Sequence, residues 1–385
     1  MLNYTFVQNV KALYGVGTVA QGSEIMDEAG YKNAFVVYDQ GVKAAGIVDK
    51  VFASLERAGI EYTIFDKVVP DPPDDMIAEG SAACKEAKSD CVIGVGGGST
   101  IDTAKAINFL RFVPPPILRY ADPAAPTRRA LGLISIPTTA GTGSELSNGI
   151  VITDSKTGDK VPILGPDAMS EYCIIDPELM VGMPPTLTMY TGLDVMAHAA
   201  ESYTTVIGDL MKNQLSEKVI EIVYKWLPVA VKDGKNIEAR SYMAIASSLG
   251  GFLLAQAGTN AGHTFAHVLG SKFNIPHGAG CAIADPYVFE YNAPAIPEKT
   301  KKIGELLGAK FTGDETPEEI GEITRKAYIK FRDIDVGMKP ISEFGVDKSM
   351  IGEIADICDG DVFIQINPRP MNRDDIAAVL EKMLA

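Results

Sequence analysis

Histidine, tryptophan and cysteine are scarce in this 385-residue chain, which contains four, one and five of them, respectively. The cysteines are odd in number, scattered, and never form a Cys-x-x-Cys pair, which argues against a disulfide framework and a thiolate zinc site. They are Cys84, Cys91, Cys173, Cys281 and Cys358. Long apolar runs are also missing, and the N-terminus lacks a basic segment followed by an apolar core. We therefore expect no membrane span and no signal peptide, and a reducing compartment such as the cytoplasm.

Basic residues are outnumbered by acidic ones, 35 to 50, which gives a formal net charge of −15. Such a chain repels phosphate backbones and anionic membrane surfaces, so we expect neither nucleic acid nor a membrane as a partner. The length suits two domains, and the 46% of hydrophobic residues can supply two cores.

The pattern of apolar residues changes at Met183-Pro184-Pro185. Before this point short β-like runs alternate with helical segments, which predicts parallel βαβ units. The strands are expected at 34–38, 61–65, 91–95, 131–136 and 172–175, with helices at about 42–58 and 74–87. After it the chain is helical, for example at 186–203, 210–226, 237–255 and 316–330. We expect an α/β domain over residues 1–183 and an all-helical domain over residues 184–385.

A glycine-rich loop, Gly96-Gly97-Gly98, joins the third predicted strand to a helix. Consecutive glycines let a backbone approach a ligand closely, and the N-terminus of the helix favours a pyrophosphate. Ser99 is the expected N-cap, with Asp102 three residues on in a capping-box spacing. The loop differs from the G-x-G-x-x-G pattern, and a simple strand-to-helix turn remains the alternative.

Two further segments follow predicted strands. Asp39 ends the first strand, where a carboxylate either accepts hydrogen bonds from ribose hydroxyls, which favours NAD over NADP, or caps the next helix. The loop from Pro137 to Glu145 follows the fourth strand and contains Thr138, Thr139 and Thr142. Its hydroxyls and glycines either bind phosphate and ribose or form a plain turn.

The four histidines are grouped. Asp194 and His198 are four residues apart on one predicted helix, as are His263 and His267 on another, and His277 follows shortly after. An unpaired buried aspartate is costly, and a divalent cation would satisfy it. Imidazoles with a carboxylate suit Zn²⁺ or Fe²⁺, and the residues alone do not choose between these metals.

These motifs together resemble the iron-dependent (group III) alcohol dehydrogenases, the family of lactaldehyde reductase and 1,3-propanediol dehydrogenase, over essentially the whole chain. The matching segments are Gly96 to Ser99 with Asp102 and Lys105, Pro137 to Glu145, Asp176-Pro177-Glu178-Leu179, Gly192 to His198, Gly262 to His267, Pro276-His277-Gly278 and Asn367-Pro368-Arg369.

The resemblance implies a dehydroquinate synthase-like architecture and hydride transfer between NAD(H) and a small alcohol or aldehyde, with iron, or alternatively zinc, as a Lewis acid on the substrate oxygen. It implies four metal ligands, namely Asp194, His198, His263 and His277, and a proton-relay role for His267. It implies cofactor contacts at Asp39, Gly96, Gly97, Gly98, Ser99, Asp102, Thr138, Thr139, Thr142, Lys160 and Leu179. A homodimer or larger homo-oligomer is expected.

Two alternatives remain at this point. One is a dehydroquinate-synthase-like, metal-dependent lyase on a phosphorylated substrate, read by arginines of the Pro-rich loop 109–129. The other is a binding protein on the same scaffold, which would be expected to have lost metal ligands. The substrate itself stays open, because Gly149 and Leu254 replace a polar and an aromatic position of the lactaldehyde reductase pocket.

Overall fold

The computed structural model describes residues 7–385 and divides the chain into two compact units, Met1–Gly182 and Met183–Ala385. Each unit has its own secondary-structure class. No helix within residues 7–385 is long and apolar enough to cross a membrane.

The first unit is built on a six-stranded parallel sheet with the strand order β1-β8-β5-β4-β2-β3. Its strands are β1 (Lys11–Tyr14), β2 (Asn33–Asp39), β3 (Glu61–Val68), β4 (Cys91–Gly96), β5 (Leu133–Pro137) and β8 (Tyr172–Ile175). The five strands expected from the sequence all lie in this sheet, so the predicted α/β class is confirmed.

Two elements were not expected from the sequence. The hairpin of β6 (Gly149–Thr153) and β7 (Lys160–Leu164) forms a separate antiparallel pair, and β1 pairs with β8 at one edge of the main sheet. Three of the four β1 residues are exposed, as are several positions of the hairpin. These segments lack the continuous apolar run by which buried parallel strands are found.

The helices of the first unit are α1 (Gly22–Ala29), α2 (Gln40–Ala44), α3 (Ile47–Arg57), α4 (Asp74–Glu86) and α5 (Gly98–Phe109). The prediction of a single helix at about 42–58 is wrong, because this segment is divided into α2 and α3. Gly46 separates them with a φ of 68°, a left-handed conformation that ends one helix and precedes the next.

Both faces of the sheet are buried. Along β2, Phe35 and Val37 point into one core, whereas Ala34, Val36 and Tyr38 point into the other, as the two-residue period of a strand requires. All five of these side chains are fully buried. The sheet therefore has rigid, parallel strands whose carboxyl ends present neighbouring loops.

Three of those loops come from adjacent strands. β2, β4 and β5 are neighbours in the sheet, and they end at Asp39, Gly96 and Pro137. Residues far apart in sequence thus meet at one edge, which is where open α/β sheets bind ligands.

The second unit is all-helical, as expected. Its α-helices are α6 (Pro185–Thr204), α7 (Leu210–Lys232), α8 (Ile237–Ala257), α9 (Ala261–Phe273), α10 (His277–Asn292), α11 (Pro297–Leu306), α12 (Pro317–Lys330), α13 (Ile351–Cys358) and α14 (Arg373–Met383). A π-helical turn, Phe331–Val336, extends α12. Helix α6 is apolar and buried along its C-terminal two thirds, so a charged group there needs a partner.

Candidate active site and metal centre

Helix α6 supplies a carboxylate and an imidazole to the interior of the second unit. Asp194 and His198 are 4% and 3% exposed, respectively, and lie one helical turn apart. The Nε2 atom of His198 is 3.6 Å from Oδ1 of Asp194. The i, i+4 relation expected from the sequence is therefore realised on a buried face.

Helices α9 and α10 bring two more imidazoles to the same point. Asn260 caps α9 through the backbone N–H of Gly262, which fixes the start of the helix that carries His263. His277 is the first residue of α10, and its Nε2 lies 3.6 Å from Oδ1 of Asp194. The rings of His198 and His263 stack with centroids 5.2 Å apart. The structure thus gathers all four residues expected as metal ligands.

The donor set fits a divalent cation. Oδ1 of Asp194 is buried and has no hydrogen-bond partner among the described residues, although it faces two imidazole nitrogens at equal distance. Burial raises the pKa of Asp194, but electrostatic interactions with His198, His277 and His263 outweigh it and leave the pKa below its usual value. Burial also holds the pKa of His263 well below its usual value. An ionised carboxylate beside neutral imidazole is the state that metal ligation needs.

Cys281 also lies near this cluster: its Sγ and the candidate ligand atoms of Asp194, His263 and His277 all lie within 4.8 Å of one another, although the sulfur packs beside the ring of His263. Its Sγ is 3.9 Å from Nδ1 and 4.0 Å from Nε2 of His263. Nearly equal distances to both nitrogens place the sulfur beside the ring and off the lone-pair axis of Nε2. The thiol packs with Ala197 and Ala266, and burial raises its pKa well above the usual value.

His267 stands beside the cluster on the exposed side of α9. Its ring stacks on His277 at 5.3 Å between centroids, with an interplanar angle of 21°, and lies 5.5 Å from Phe363. Its side chain is open to solvent, whereas that of His263 is buried. This is the position that a proton carrier between the site and water requires.

Sequence reasoning missed Glu201. This residue is fully buried on α6, and its Oε1 lies 2.5 Å from Nδ1 of His263. The signal was present, because Asp194, His198 and Glu201 recur at i, i+4 and i+7 in an apolar helix. A carboxylate at that spacing faces the same side as the two candidate ligands.

In the first unit the glycine loop and the loop after β5 are in contact. A Cβ on Gly97 would lie 3.3 Å from Oγ1 of Thr139, and one on Gly98 would lie 2.7 Å from Cγ2 of Thr142. Thr138 N–H donates to the carbonyl of Gly96 at 3.0 Å. Expected cofactor residues from two loops are therefore brought together, with room only for glycine at Gly98.

Asp39 lies at the same edge and caps helix α2. Its Oδ1 accepts from Val42 N–H at 3.0 Å, and its Oδ2 accepts from the Thr100 hydroxyl at 3.2 Å. The capping alternative considered for this residue is thus present in the structure. Each carboxylate oxygen has further lone pairs, so capping is compatible with contacts to a ribose.

The start of α5 differs from expectation. Its N-cap is Gly97, no side chain caps it, and Ser99 lies within the first turn, so the predicted Ser99 cap is wrong. Gly97 is in an extended conformation, which starts the helix two residues earlier than a serine cap would. The first-turn N–H groups are left without a side-chain acceptor, as an anion site requires.

The side chain of Asp102 hydrogen-bonds to another segment of the first unit, so the predicted capping-box role is wrong. Its Oδ1 accepts from the Ser144 hydroxyl at 2.5 Å and its Oδ2 from Val151 N–H at 2.8 Å. Lys105, 1% exposed, donates to Ser144 Oγ at 2.9 Å and to the Gly149 carbonyl at 2.7 Å. Asp102 and Lys105 thus hold the segment 144–151 against α5, and any effect of Asp102 on a cofactor is indirect.

Two expected cofactor residues are not joined to this cluster by any described contact. Leu179 is 1% exposed and packs in the core with Val95 and Ile136, so its side chain serves packing. Lys160 is exposed at the start of β7 and pairs with Asp71 at 2.8 Å.

The arginines of loop 109–129 are largely occupied by backbone carbonyls. Arg111 donates to the carbonyl of Asp90 at 2.6 Å, and Arg128 donates to that of Phe112 at 2.9 Å. Arg129 donates to the carbonyls of Pro166, Met169 and Ser170. These three guanidinium groups stabilise the fold of the first unit, whereas Arg119 of the same loop is exposed and makes no described side-chain hydrogen bond.

Comparison with models of known protein families identifies the family of this chain. The family model described as iron-containing alcohol dehydrogenase matches residues 9–177, and the model of the C-terminal part of the Fe-containing alcohol dehydrogenase family matches residues 188–384. The chain belongs to the iron-containing alcohol dehydrogenase family. The resemblance stated from the sequence is confirmed, and with it the assignment of the chain as an oxidoreductase of the alcohol dehydrogenase type.

Relatives of this alcohol dehydrogenase cover nearly its full length. It is 34% identical to the choline dehydrogenase of Bacillus subtilis (strain 168), over 96% of this chain and 92% of the relative. It is 32% identical to the NAD-dependent methanol dehydrogenase of Bacillus methanolicus, over 97% and 98% of the two chains. The crystal structure of a 1,3-propanediol oxidoreductase superposes with a TM-score of 0.91 at 31% identity, over 99% of this chain and 100% of that one.

Proposed function

We propose that this alcohol dehydrogenase uses NAD(H) and a divalent metal, iron or alternatively zinc, to interconvert a small alcohol and its aldehyde. The observation that carries the proposal is the buried, unpartnered carboxylate of Asp194 facing the imidazoles of His198 and His277, with His263 beside them. These four residues are the proposed ligands.

The cofactor is proposed to bind the first unit at the carboxyl edge of its sheet. Gly96, Gly97, Gly98 and Ser99 would hold the pyrophosphate with backbone N–H groups of the first turn of α5. Three loop threonines would contact the remaining phosphate and ribose oxygens: Thr138, Thr139 and Thr142. Asp39 would accept from the adenosine ribose hydroxyls and repel a 2′-phosphate, which favours NAD over NADP.

The protein's contribution to the chemistry is orientation and proton handling. A bound divalent metal supplies Lewis acidity at the alcohol oxygen, and NAD supplies the hydride acceptor. Asp194 with the three histidines would fix where the alcohol oxygen lies. His267, exposed beside His277, would accept the proton released by the alcohol and pass it to solvent.

The lyase alternative is not proposed. It required arginines free to read a phosphorylated substrate, and Arg111, Arg128 and Arg129 donate to backbone carbonyls of their own unit. The binding-protein alternative is not proposed either, because all four candidate ligands are retained.

We further propose that the enzyme is a cytoplasmic homo-oligomer, a dimer or larger. All five cysteines are free and buried, which suits a reducing compartment. The family resemblance supports the oligomer, and light scattering coupled to size-exclusion chromatography measures the number of subunits directly.

The test is NADH oxidation by anaerobically purified protein against a panel of short aldehydes. Activity that is lost on chelation and restored by Fe²⁺ or Zn²⁺ supports the proposal and identifies the metal. A His267→Ala variant keeps the metal but loses turnover, whereas Asp194→Ala loses both. Absence of turnover with every aldehyde, despite bound metal, overturns the proposed reaction.

A further inference from the structure

We propose that Glu201 is a positioning residue that fixes the orientation and tautomer of His263. The inference rests on the proposed metal site, since His263 is one of its ligands. It adds a layer of buried residues behind the ligands to which neither the family models nor the sequence patterns assigned a role.

Both carboxylate oxygens of Glu201 are committed to helix α9. Oε1 lies 2.5 Å from Nδ1 of His263, and Oε2 accepts from the backbone N–H groups of Asn260 at 2.6 Å and His263 at 3.2 Å. Glu201 is fully buried, so water does not compete for these bonds. An acceptor on Nδ1 requires that this nitrogen carries the proton. The lone pair of His263 is then on Nε2, the nitrogen available to a cation.

His263 differs in this respect from its stacked neighbour. Nδ1 of His198 is buried and has no hydrogen-bond partner among the described residues. A ligand histidine usually donates its second ring N–H to a carboxylate or carbonyl, which orients the ring and raises its basicity. Of these two buried histidines only His263 has that carboxylate, so we expect Glu201 to have a disproportionate effect on metal affinity.

Asp285 lies behind Glu201 on helix α10. A Cβ on Gly262 would lie 2.1 Å from Oδ1 of Asp285 and 2.7 Å from Oε1 of Glu201, so the glycine at this position is what lets the two carboxyl groups meet. Asp285 is fully buried, and its Oδ2 accepts from the hydroxyl of Tyr328 at 3.3 Å. Its Oδ1 has no hydrogen-bond partner among the described residues.

The acid-to-amide change should have different effects at the two positions. In Glu201→Gln one acceptor oxygen becomes an NH₂ group, which faces either Nδ1–H of His263 or two backbone N–H groups, so donor meets donor. Asp285 makes no described hydrogen bond to His263. We expect Glu201→Gln to weaken metal affinity about 10- to 100-fold, and Asp285→Asn to weaken it far less.

The experiment measures Zn²⁺ affinity by chelator competition in the purified full-length protein, for the wild type, Glu201→Gln and Asp285→Asn. Glu217→Gln is the matched control, because Glu217 lies on α7, accepts from the hydroxyl of Tyr203 and touches no ligand. Wild-type affinity in Glu201→Gln overturns the inference. Failure of the wild type itself to bind Zn²⁺ or Fe²⁺ instead overturns the proposed metal site.

A spectroscopic readout keeps the inference testable if Glu201→Gln folds poorly. In the wild-type Co²⁺ protein, the Nδ1 protons of ligand histidines give shifted, exchangeable proton resonances. That of His263, shielded by Glu201, should exchange with solvent more slowly than that of His198. A His263 found in the Nε2–H tautomer by ¹⁵N-histidine labelling of the Zn²⁺ protein overturns the inference without any variant.

Discussion

The α-carbon of Gly278 faces the carbonyl oxygen of Tyr190 so closely that a Cβ on Gly278 would lie 1.9 Å from that oxygen. The same Cβ would be 3.0 Å from Cβ of Asp194. Helix α10 therefore begins in direct contact with α6, and this contact sets the position of His277 next to Asp194.

Gly278→Ala should separate the two helices. Relief of a 1.9 Å clash with backbone needs a shift of α10, which we expect to cost about 1–3 kcal/mol or more of unfolding free energy and to weaken metal binding as well. Denaturant unfolding and metal analysis measure the two effects. Gly360→Ala is the control, since no atom lies within 4 Å of its added Cβ. Equal behaviour of the two variants would contradict the steric argument.

Asp194→Asn should remove the metal with little change in shape. The amide keeps the volume of the side chain but loses the negative charge that faces three imidazoles. Metal affinity should therefore fall by more than the roughly 10- to 100-fold typical of changes to residues that hydrogen-bond to metal ligands. Metal content after dialysis, measured beside circular dichroism, separates loss of the ion from loss of fold. Retention of stoichiometric metal and full turnover would refute the ligand assignment.

Lys105→Met should destabilise the first unit. The ammonium group is 1% exposed and bonds Ser144 and the carbonyl of Gly149, and it lies 3.8 Å from Asp102. Its removal leaves the carboxylate of Asp102, whose side chain is 13% exposed, without its cation, at a cost of about 1–3 kcal/mol. The double variant Lys105→Met/Asp102→Asn should recover part of this loss in chemical denaturation. The single variant Asp102→Asn completes the double-mutant cycle, in which purely additive effects would show that the pair is not coupled.

Asp39→Ala should relax the preference for NADH over NADPH. The ratio of kcat/KM values for the two cofactors should fall at least about tenfold, because ribose hydrogen bonds and the repulsion of a 2′-phosphate are both lost. Loss of the α2 cap should cost about 1 kcal/mol of stability. Asp209→Ala is the control: it removes an equivalent cap, on Lys212 N–H of α7, far in sequence from the cofactor residues. It should lower stability similarly and leave the cofactor ratio unchanged.

The sequence predicted those features whose signal is local and periodic. The strands β2, β3, β4, β5 and β8 are continuous apolar or alternating runs, and α6 to α8 have helical periods over many residues. The i, i+4 pair of Asp194 and His198 likewise follows from helix geometry alone. Such features do not depend on what packs against them.

Features that depend on tertiary partners were missed. Glu201 gains its role only because α9 places His263 against it, and Asp102 serves loop 144–151 only because that segment returns to α5. Ser99 is a good N-cap residue by type, yet Gly97 starts the helix because the glycine adopts the extended conformation demanded by the turn. At such positions the preference of a residue type is a weak predictor of its role, and the tertiary contacts determine that role.

The division of the chain after Gly182 has a consequence for how such enzymes diverge. Every residue proposed to contact the dinucleotide precedes this point, and all four proposed ligands, together with His267, Glu201 and Asp285, follow it. A single recombination between the two coding segments could therefore exchange one complete set for another without splitting either. Cofactor preference and metal preference can then be inherited, and engineered, as separate traits.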